Sequence, residues 1–411
     1  MKKLIKCGKF FSSVDESVKE NIGVVIEENK IIEIAPISDI KVENAEVIDL
    51  SDKFVMPGLI DAHMHVNLSG QTDMLSVFSG STIGDLTLAS FVNAKKDLMA
   101  GFTTIRDEGA FGFSDVALKN AINKGVVDGP RMLVSGEAIG STGGHADSSL
   151  SPYVTGKSCL GSIIDSPDEG RKAARYNFKY GADQIKVMAT GGVLSFGDDP
   201  GSAEMTFEEM KAILDVANSR GRISSAHAHG AEGIKMAIKA GITSIEHGMM
   251  MDEECIDMMV ENGTYLIPTI VAANNIIENG SKAGMAQWAV DKASHVLKNH
   301  KNNLKLCREK GVNIGFGSDA GTSFNCHGDQ TVEFELMVEF GFTPCEALIA
   351  ATRTNATMMK MINDIGTLEV GKLADIVAFN ENPLDNIKTM NSVSFVMKDG
   401  KVYKKDGKAI K

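Results

Sequence analysis

From Val55 to Asp319 the chain repeats one unit, an apolar strand followed by an amphipathic helix, and this rhythm limits the fold more than any other feature. Strands separated by helical crossovers lie parallel, because a parallel neighbour is reached only by a connection long enough to run back along the sheet. Eight strands can be read: Val55 to His65, Thr103 to Asp107, Arg131 to Glu137, Gln184 to Ala189, Ile223 to His229, Thr243 to His247, Tyr265 to Thr269 and Asn313 to Asp319. Between them, Thr206 and Glu209 form a capping box, followed by Met210, Ile213, Leu214 and Ala217 at helical spacing, and Ile234, Ala237 and Ile238 repeat the pattern. No strand is followed by a dinucleotide fingerprint, so the sequence predicts a closed (β/α)8 TIM barrel in place of an open doubly wound sheet.

The two ends read differently. Residues 1 to about 55 alternate as short strands, such as Val24 to Ile26 and Lys30 to Ile34, with turns such as Glu28-Asn29. After a helix that begins at the Thr343 and Glu346 capping box, strands return at Ile376 to Phe379, Ser394 to Lys398 and Lys401 to Lys404, and Asp399-Gly400 makes the last hairpin turn. Neither end is long enough for a sizeable core of its own. Residues 1–57 and 365–411 are therefore expected to pair into one small split domain of β-sandwich type, with the barrel, 58–364, inserted in it.

No apolar run approaches the ~20 residues of a membrane span. The opening MKKLIKCGKFF is interrupted by lysines before it reaches the length of a signal-peptide core, so a soluble, cytoplasmic protein is expected. A net charge of -12 argues against a nucleic-acid partner. Six cysteines (Cys7, Cys159, Cys255, Cys307, Cys326 and Cys345) lack C-x-x-C spacing and read as free thiols. A homo-oligomer is compatible with all of this.

Chemistry gathers at the strand ends. Pro57-Gly-Leu-Ile-Asp-Ala-His63-Met-His65 closes the first strand with two histidines that strand alternation turns to one face. His227 and His229 close the fifth strand, His247 the sixth and Asp319 the eighth. In a closed barrel these ends converge, bringing imidazoles and a carboxylate together as ligands suited to zinc or a similar divalent ion. Lys186 interrupts the apolar fourth strand. It is either a buried lysine paired with a carboxylate or, beside two cations, an amine that loses its proton and takes up carbon dioxide as a bridging carbamate. His145 lies in the glycine-rich loop Gly140-Ser-Thr-Gly-Gly-His145, where it could close over a ligand, and His327 follows the eighth strand in a similar position. His295 and His300, in a charged helical stretch, read as solvated.

With PGLIDAHMH, IKVMATGGV, SAHAHG, SIEHG, GSDAG and the tail Gly366 to Phe379 in this order, the chain resembles the amidohydrolase superfamily over essentially its whole length. The branch is that of imidazolonepropionase-like amidohydrolases and Xaa-Pro or Xaa-Arg dipeptidases. The resemblance implies that His63, His65 and Asp319 hold one metal and His227 and His247 a second, with carbamylated Lys186 between them. It implies a metal-bridging hydroxide as nucleophile, Asp319 as its proton acceptor, and two divalent ions, zinc by preference. The strand geometry leaves His227 and His229 interchangeable; the resemblance favours His227 as ligand and leaves His229 to the substrate, while the loop positions of His145 and His327 make them either further substrate contacts or surface histidines. The implied reaction is hydrolysis of an amide in a small molecule, a dipeptide or N-acyl amino acid. The spacing His229-Gly-Ala-Glu232 offers an alternative, the mononuclear cyclic-amide hydrolases and deaminases of imidazolonepropionase type, which also show H-x-x-E. A non-catalytic scaffold is disfavoured because every implied ligand is present.

Overall fold

The structure is a computed structural model that describes residues 2–147, 153 and 161–410, so Cys159 lies outside the described residues. Four strands open the chain: β1 (Lys2–Phe11), β2 (Val18–Glu27), β3 (Lys30–Pro36) and β4 (Glu46–Pro57). Nine follow through the middle: β5 (Leu59–Met64), β6 (Phe102–Asp107), β7 (Arg131–Val134), β8 (Ala138–Gly140), β9 (Gly161–Ile163), β10 (Ile185–Met188), β11 (Ser224–Gly230), β12 (Ser244–Met250) and β13 (Tyr265–Ile267). Four close it: β14 (Ile376–Phe379), β15 (Val393–Lys398), β16 (Lys401–Lys405) and β17 (Lys408–Ala409).

The chain divides into two compact units. The first comprises Met1–Asp61, Lys95–Ile105 and Gly328–Lys411. Its strands from both ends of the chain form one eight-stranded sheet in the order β17-β16-β15-β14-β4-β1-β2-β3. β14 pairs antiparallel with β4, and β1 parallel with β4. Ile5, Phe10, Val24, Ile26, Val55, Ile376, Phe395 and Met397 share one buried cluster, which is how two short strand-rich ends bury apolar surface that neither could bury alone. The β15–β16 turn has positive φ at both Asp399 (49°) and Gly400 (72°), the backbone of a primed hairpin turn. A Cβ on Gly400 would sit 2.4 Å from the Glu28 carbonyl oxygen, so the glycine also permits that close approach.

The second unit comprises Ala62–Ala94 and Arg106–His327. Six strands run in the order β13-β12-β11-β10-β8-β9 with parallel pairing at each step, and β5, β6 and β7 form a sheet of three. β10, β11 and nearly all of β12 are buried on both faces, as parallel strands covered by helices are. The Thr206 and Glu209 capping box is formed, and Met210, Ile213, Leu214 and Ala217 face inward behind it.

Three strands read from the sequence differ in the structure. Val55 to His65 breaks at Pro57-Gly58, where proline has no N–H to donate. Arg131 to Glu137 breaks at Ser135-Gly136, where Gly136 has φ 67°. Asn313 to Asp319 is no regular strand, but it is extended: Asn313 and Gly315 exchange hydrogen bonds with Leu266 of β13 (2.9 Å each). On its other side, Phe316 accepts from Ala62, and Asp319 donates to His63 in β5 (3.0 and 2.7 Å). His295 and His300 fall on two helices, Gln287–Leu297 and His300–Lys310. His295 is exposed, but His300 is fully buried, which corrects the expectation that both are solvated. Cys7, Cys255, Cys307, Cys326 and Cys345 are free thiols. No helix among the described residues is long and apolar enough to cross a membrane.

Candidate active site

The carboxyl ends of the parallel strands carry the polar residues. One cavity of about 150 Å³ is lined by His63 and His65 from β5, Lys186 from β10, His227 and His229 from β11, His247 from β12, and by Glu108, His145 and Asp319 from connecting segments. Three non-glycine residues here have left-handed backbone: His247 (φ 70°), Thr269 (45°) and Asp319 (61°). Each such residue costs about 1–3 kcal/mol, a strain that persists where surrounding structure over-determines it and that recurs at functional sites. It lets the chain turn sharply at the strand end while a side chain is held in the cavity.

His63 and His65 place Nε2 atoms 3.5 and 3.4 Å from the same oxygen, Asp319 Oδ1. Their outer nitrogens are fixed. His63 Nδ1 donates to the Glu246 carboxylate at 2.7 Å, and His65 Nδ1 to the Gly109 carbonyl at 3.0 Å. Since a carboxylate and a carbonyl only accept, both Nδ1 atoms carry the proton and both Nε2 lone pairs are available. His247 Nδ1 is likewise engaged, with Thr269 Oγ1 at 2.6 Å.

Behind the histidines lies a buried ionic network absent from the sequence reading. Arg106, fully buried, bonds Glu246 Oε1 through Nη2 at 2.7 Å and Glu108 Oε1 through Nε at 2.9 Å. Glu108 also accepts from Gln184 Nε2 (2.8 Å) and Ser225 Oγ (2.5 Å), and its Oε2 lies 3.1 Å from Lys186 Nζ. Lys186 therefore has the carboxylate partner that one of its two readings required. The available signal was a charged Arg-Asp-Glu run ending the Thr103 strand, and Glu246 immediately before His247 in an apolar strand.

The remaining histidines stack around the other side. His227 lies 4.3 Å from His145 and 4.7 Å from His247 between ring centroids, and its Nε2 is 3.1 Å from the Gly191 carbonyl. His229 stacks on His247 at 5.1 Å, and its buried Nδ1 has no hydrogen-bond partner among the described residues. His145 donates Nδ1 to Ser195 Oγ at 2.7 Å. His327 instead sets Nε2 3.2 Å from the His65 carbonyl, against the end of β5 and off the cavity lining. Glu232, the acid of the H-x-x-E spacing, has a 78% exposed side chain paired with Lys235 and does not reach the cavity.

Electrostatics favour the neutral form at the histidines of the cavity other than His65. Burial drives the His63, His227 and His247 imidazoles well below their ordinary pKa, and holds His229 down to about 3 and His145 to about 4. Burial pushes the Asp319 carboxyl up, but His63, His65 and Lys186 outweigh it and keep it below its usual range. His65 shows the reciprocal effect: burial resists its charge, and Asp319 raises its pKa nonetheless.

These residues fit a divalent cation. Neutral imidazoles and an ionised carboxylate are the forms that bind metals. His63, His65 and Asp319 each offer a ligand atom, all within 4.8 Å of one another, and a second such group joins His63 to Glu108 and Glu246. Among the described residues, Asp319 Oδ1 is buried with no hydrogen-bond partner beyond the loose approach of His63 and His65 Nε2, an acceptor open to a cation.

The chain matches the Amidohydrolase family over residues 54–403 and belongs to it. It is a hydrolase of carbon–nitrogen bonds, from a family that generally uses metal ions. It is 35% identical to ochratoxinase of Aspergillus niger over 387 residues, 86% of this chain and 76% of that protein. It is similar to a Xaa-Pro dipeptidase solved with methionine in its active site, with 36% identity and a TM-score of 0.89 over 98% of this chain and all (100%) of that one. Imidazolonepropionase of Geobacillus sp. (strain WCH70) is 24% identical over 424 residues, 95% of this chain and 91% of that protein.

Proposed function

We propose that this protein hydrolyses an amide bond in a small molecule, a dipeptide or N-acyl amino acid, at a two-metal centre. The observation that carries the reading is Lys186: a lysine only 1% exposed, within the parallel strand β10, in one cavity with five histidines of the strand ends and Asp319. The likeness to a Xaa-Pro dipeptidase and to ochratoxinase supports an amide substrate. The exposure of Glu232 disfavours the mononuclear, imidazolonepropionase-type alternative. The hydrogen bonds of 313–320 to β13 and β5 support a (β/α)8 barrel, and the shared sheet of β1–β4 with β14–β17 supports a split β-domain made by both chain ends.

In this reading His63, His65 and Asp319 hold one ion, His227 and His247 the other, and zinc suits such nitrogen and oxygen ligands. Two divalent ions, when bound, lower the pKa of a shared water and polarise a substrate carbonyl. Asp319, kept ionised by its neighbours, accepts the proton that water loses and returns it to the leaving nitrogen as the C–N bond breaks. Glu246 and Gly109 hold the rings of His63 and His65 in register for this. A carbamate formed by Lys186 Nζ on carbon dioxide, with one Nζ proton released to solvent, would supply anionic oxygen ligands to ions held there. Arg106 already offsets one of the carboxylates Glu108, Glu246 and Asp319, so an ammonium beside two dications would enlarge a positive surplus that a carbamate reduces. His145 and His229 face the substrate.

The test is a library of dipeptides and N-acyl amino acids assayed with zinc- or manganese-loaded protein, alongside metal analysis. Turnover with two metals per chain is the expected result. One metal per chain, with turnover confined to cyclic amides or amino-substituted rings, would replace this reading with the mononuclear one.

A further inference from the structure

A second cavity adjoins the first within the same unit. The inner chamber, which holds the strand-end residues, has a volume of about 150 Å³ and the outer about 480 Å³. Met74, Leu194 and Ser195 line both and so form the partition between them. A cavity of roughly 150 Å³ accommodates a benzene-sized group. The inner chamber thus has room for a scissile amide and one small substituent, and Leu194 borders the space into which a larger substrate can continue.

The outer chamber is apolar and aromatic. Trp288, the chain's single tryptophan, meets Phe196 edge to face with centroids 5.6 Å apart, and Met285 and Leu75 complete the wall. Phe196 is 67% exposed, so a ligand here would cover aromatic surface that the fold leaves wet. Asp73 and Asp147 also border the chamber, but each accepts from a backbone amide, Ser76 at 3.1 Å and Gly143 at 3.0 Å. The partition is anchored from the same helix as the tryptophan. Lys292 Nζ donates to the carbonyls of Gly192 (3.1 Å) and Ser195 (2.9 Å) and to Asp198 Oδ1 (2.8 Å), and it lies 5.5 Å from the Trp288 ring centre. Ser195 Oγ in turn donates to Asp198 at 2.5 Å while receiving His145. One lysine therefore ties the outer wall, the partition and a histidine of the inner chamber together.

We propose that the outer chamber binds an apolar or aromatic arm that the substrate carries beyond its scissile amide, so that the enzyme selects amides with a bulky hydrophobic extension. This rests on the amide-hydrolase reading above. The experiment uses metal-loaded protein and two series: N-acylglycines from acetyl to decanoyl, and acetamides from methylamide to decylamide. In one of them kcat/KM is expected to rise at least tenfold with arm length, chiefly through KM. The ratio of longest to shortest should fall at least tenfold in Ala286→Trp, which fills the chamber from its rim, and in Trp288→Ala, which removes its main wall. Because Trp288 is the chain's single tryptophan, its emission reports occupancy directly and should shift with the longest compound of the preferred series but not the shortest. If short amides are cleaved but rates stay flat with arm length in both series, or emission stays unchanged, the outer-chamber assignment falls while the amide-hydrolase reading stands. If no amide in either series is cleaved, that reading falls, and the emission titration alone decides the chamber.

Discussion

The apolar cluster of the eight-stranded sheet and the ends of β5, β11 and β12, with Lys186 of β10, are both well buried, but they are buried for opposite reasons. In the sheet, Ile5, Val24, Phe395 and Met397 are inside because water rejects them, and the left-handed residues sit at its turns (Glu28, Asp399, Asp406) and at Asn21 in β2. At the strand ends Arg106, Glu108, Lys186 and Glu246 are inside against a large desolvation cost, and His247, Thr269 and Asp319 adopt strained backbone. Removing the apolar groups from the first region should cost stability and leave chemistry intact. Removing polar groups from the second should cost chemistry and leave the fold standing.

The largest effect expected is on the second region: His63→Ala or His247→Ala should lower kcat/KM by about a thousandfold or more and reduce bound metal, while circular dichroism and the unfolding transition stay near wild type. A variant with full metal and normal turnover would break the ligand assignment. In the first region, Phe395→Ala should lose about 3–5 kcal/mol of stability in denaturant titration, with kcat/KM unchanged where the protein remains folded. If kcat/KM fell in step with stability, the two regions would not be separable in this way.

A pH experiment sharpens the contrast with a residue outside the cavity. Burial lowers the His300 imidazole to about 4. Its neutral form is favoured by folding, so the contribution is fully present above the unfolded value of ~6.5 and is lost as pH falls through about 4. Stability should therefore drop between those limits by up to about 3 kcal/mol, and the drop should be smaller in His300→Leu than in wild type, as read by denaturation at matched pH values. The smallest effect concerns a residue that holds His63 from behind: Glu246→Gln should weaken metal binding about 10- to 100-fold in chelator competition, because His63 Nδ1 loses its anionic partner.

The same contrast explains what could be read from the chain beforehand. Apolar periodicity marked most strands and the Thr206 and Thr343 capping boxes, because these follow local rules of burial and hydrogen bonding. The eighth strand was read in the right place but with too much regularity: glycines at 315 and 317 and the left-handed turn at Asp319 leave an extended segment with few ladder bonds. His63, His65, His145, Lys186, His227, His229, His247 and Asp319 were legible because they interrupt or follow strands, and the structure brings all of them to one cavity. Arg106, Glu108 and Glu246 were not read as a network, since their one signal is that charged residues stand in apolar strands, and a buried ion pair between distant segments has no spacing that pairs its members. His300 was misread because a helix boundary at 298–299 turned a supposedly solvated face inward.

The central claim, a two-metal site bridged by a modified Lys186, is tested most directly by native mass spectrometry of active, metal-loaded protein, with the peptide carrying Lys186 examined in parallel. The account predicts two metal ions and the mass of one carbon dioxide per chain, with metals and carbon dioxide lost together in Lys186→Ala and some activity restored by a short carboxylic acid that fills the vacated space. A fully metal-loaded, active enzyme carrying unmodified Lys186, its ammonium still paired with Glu108, would contradict it.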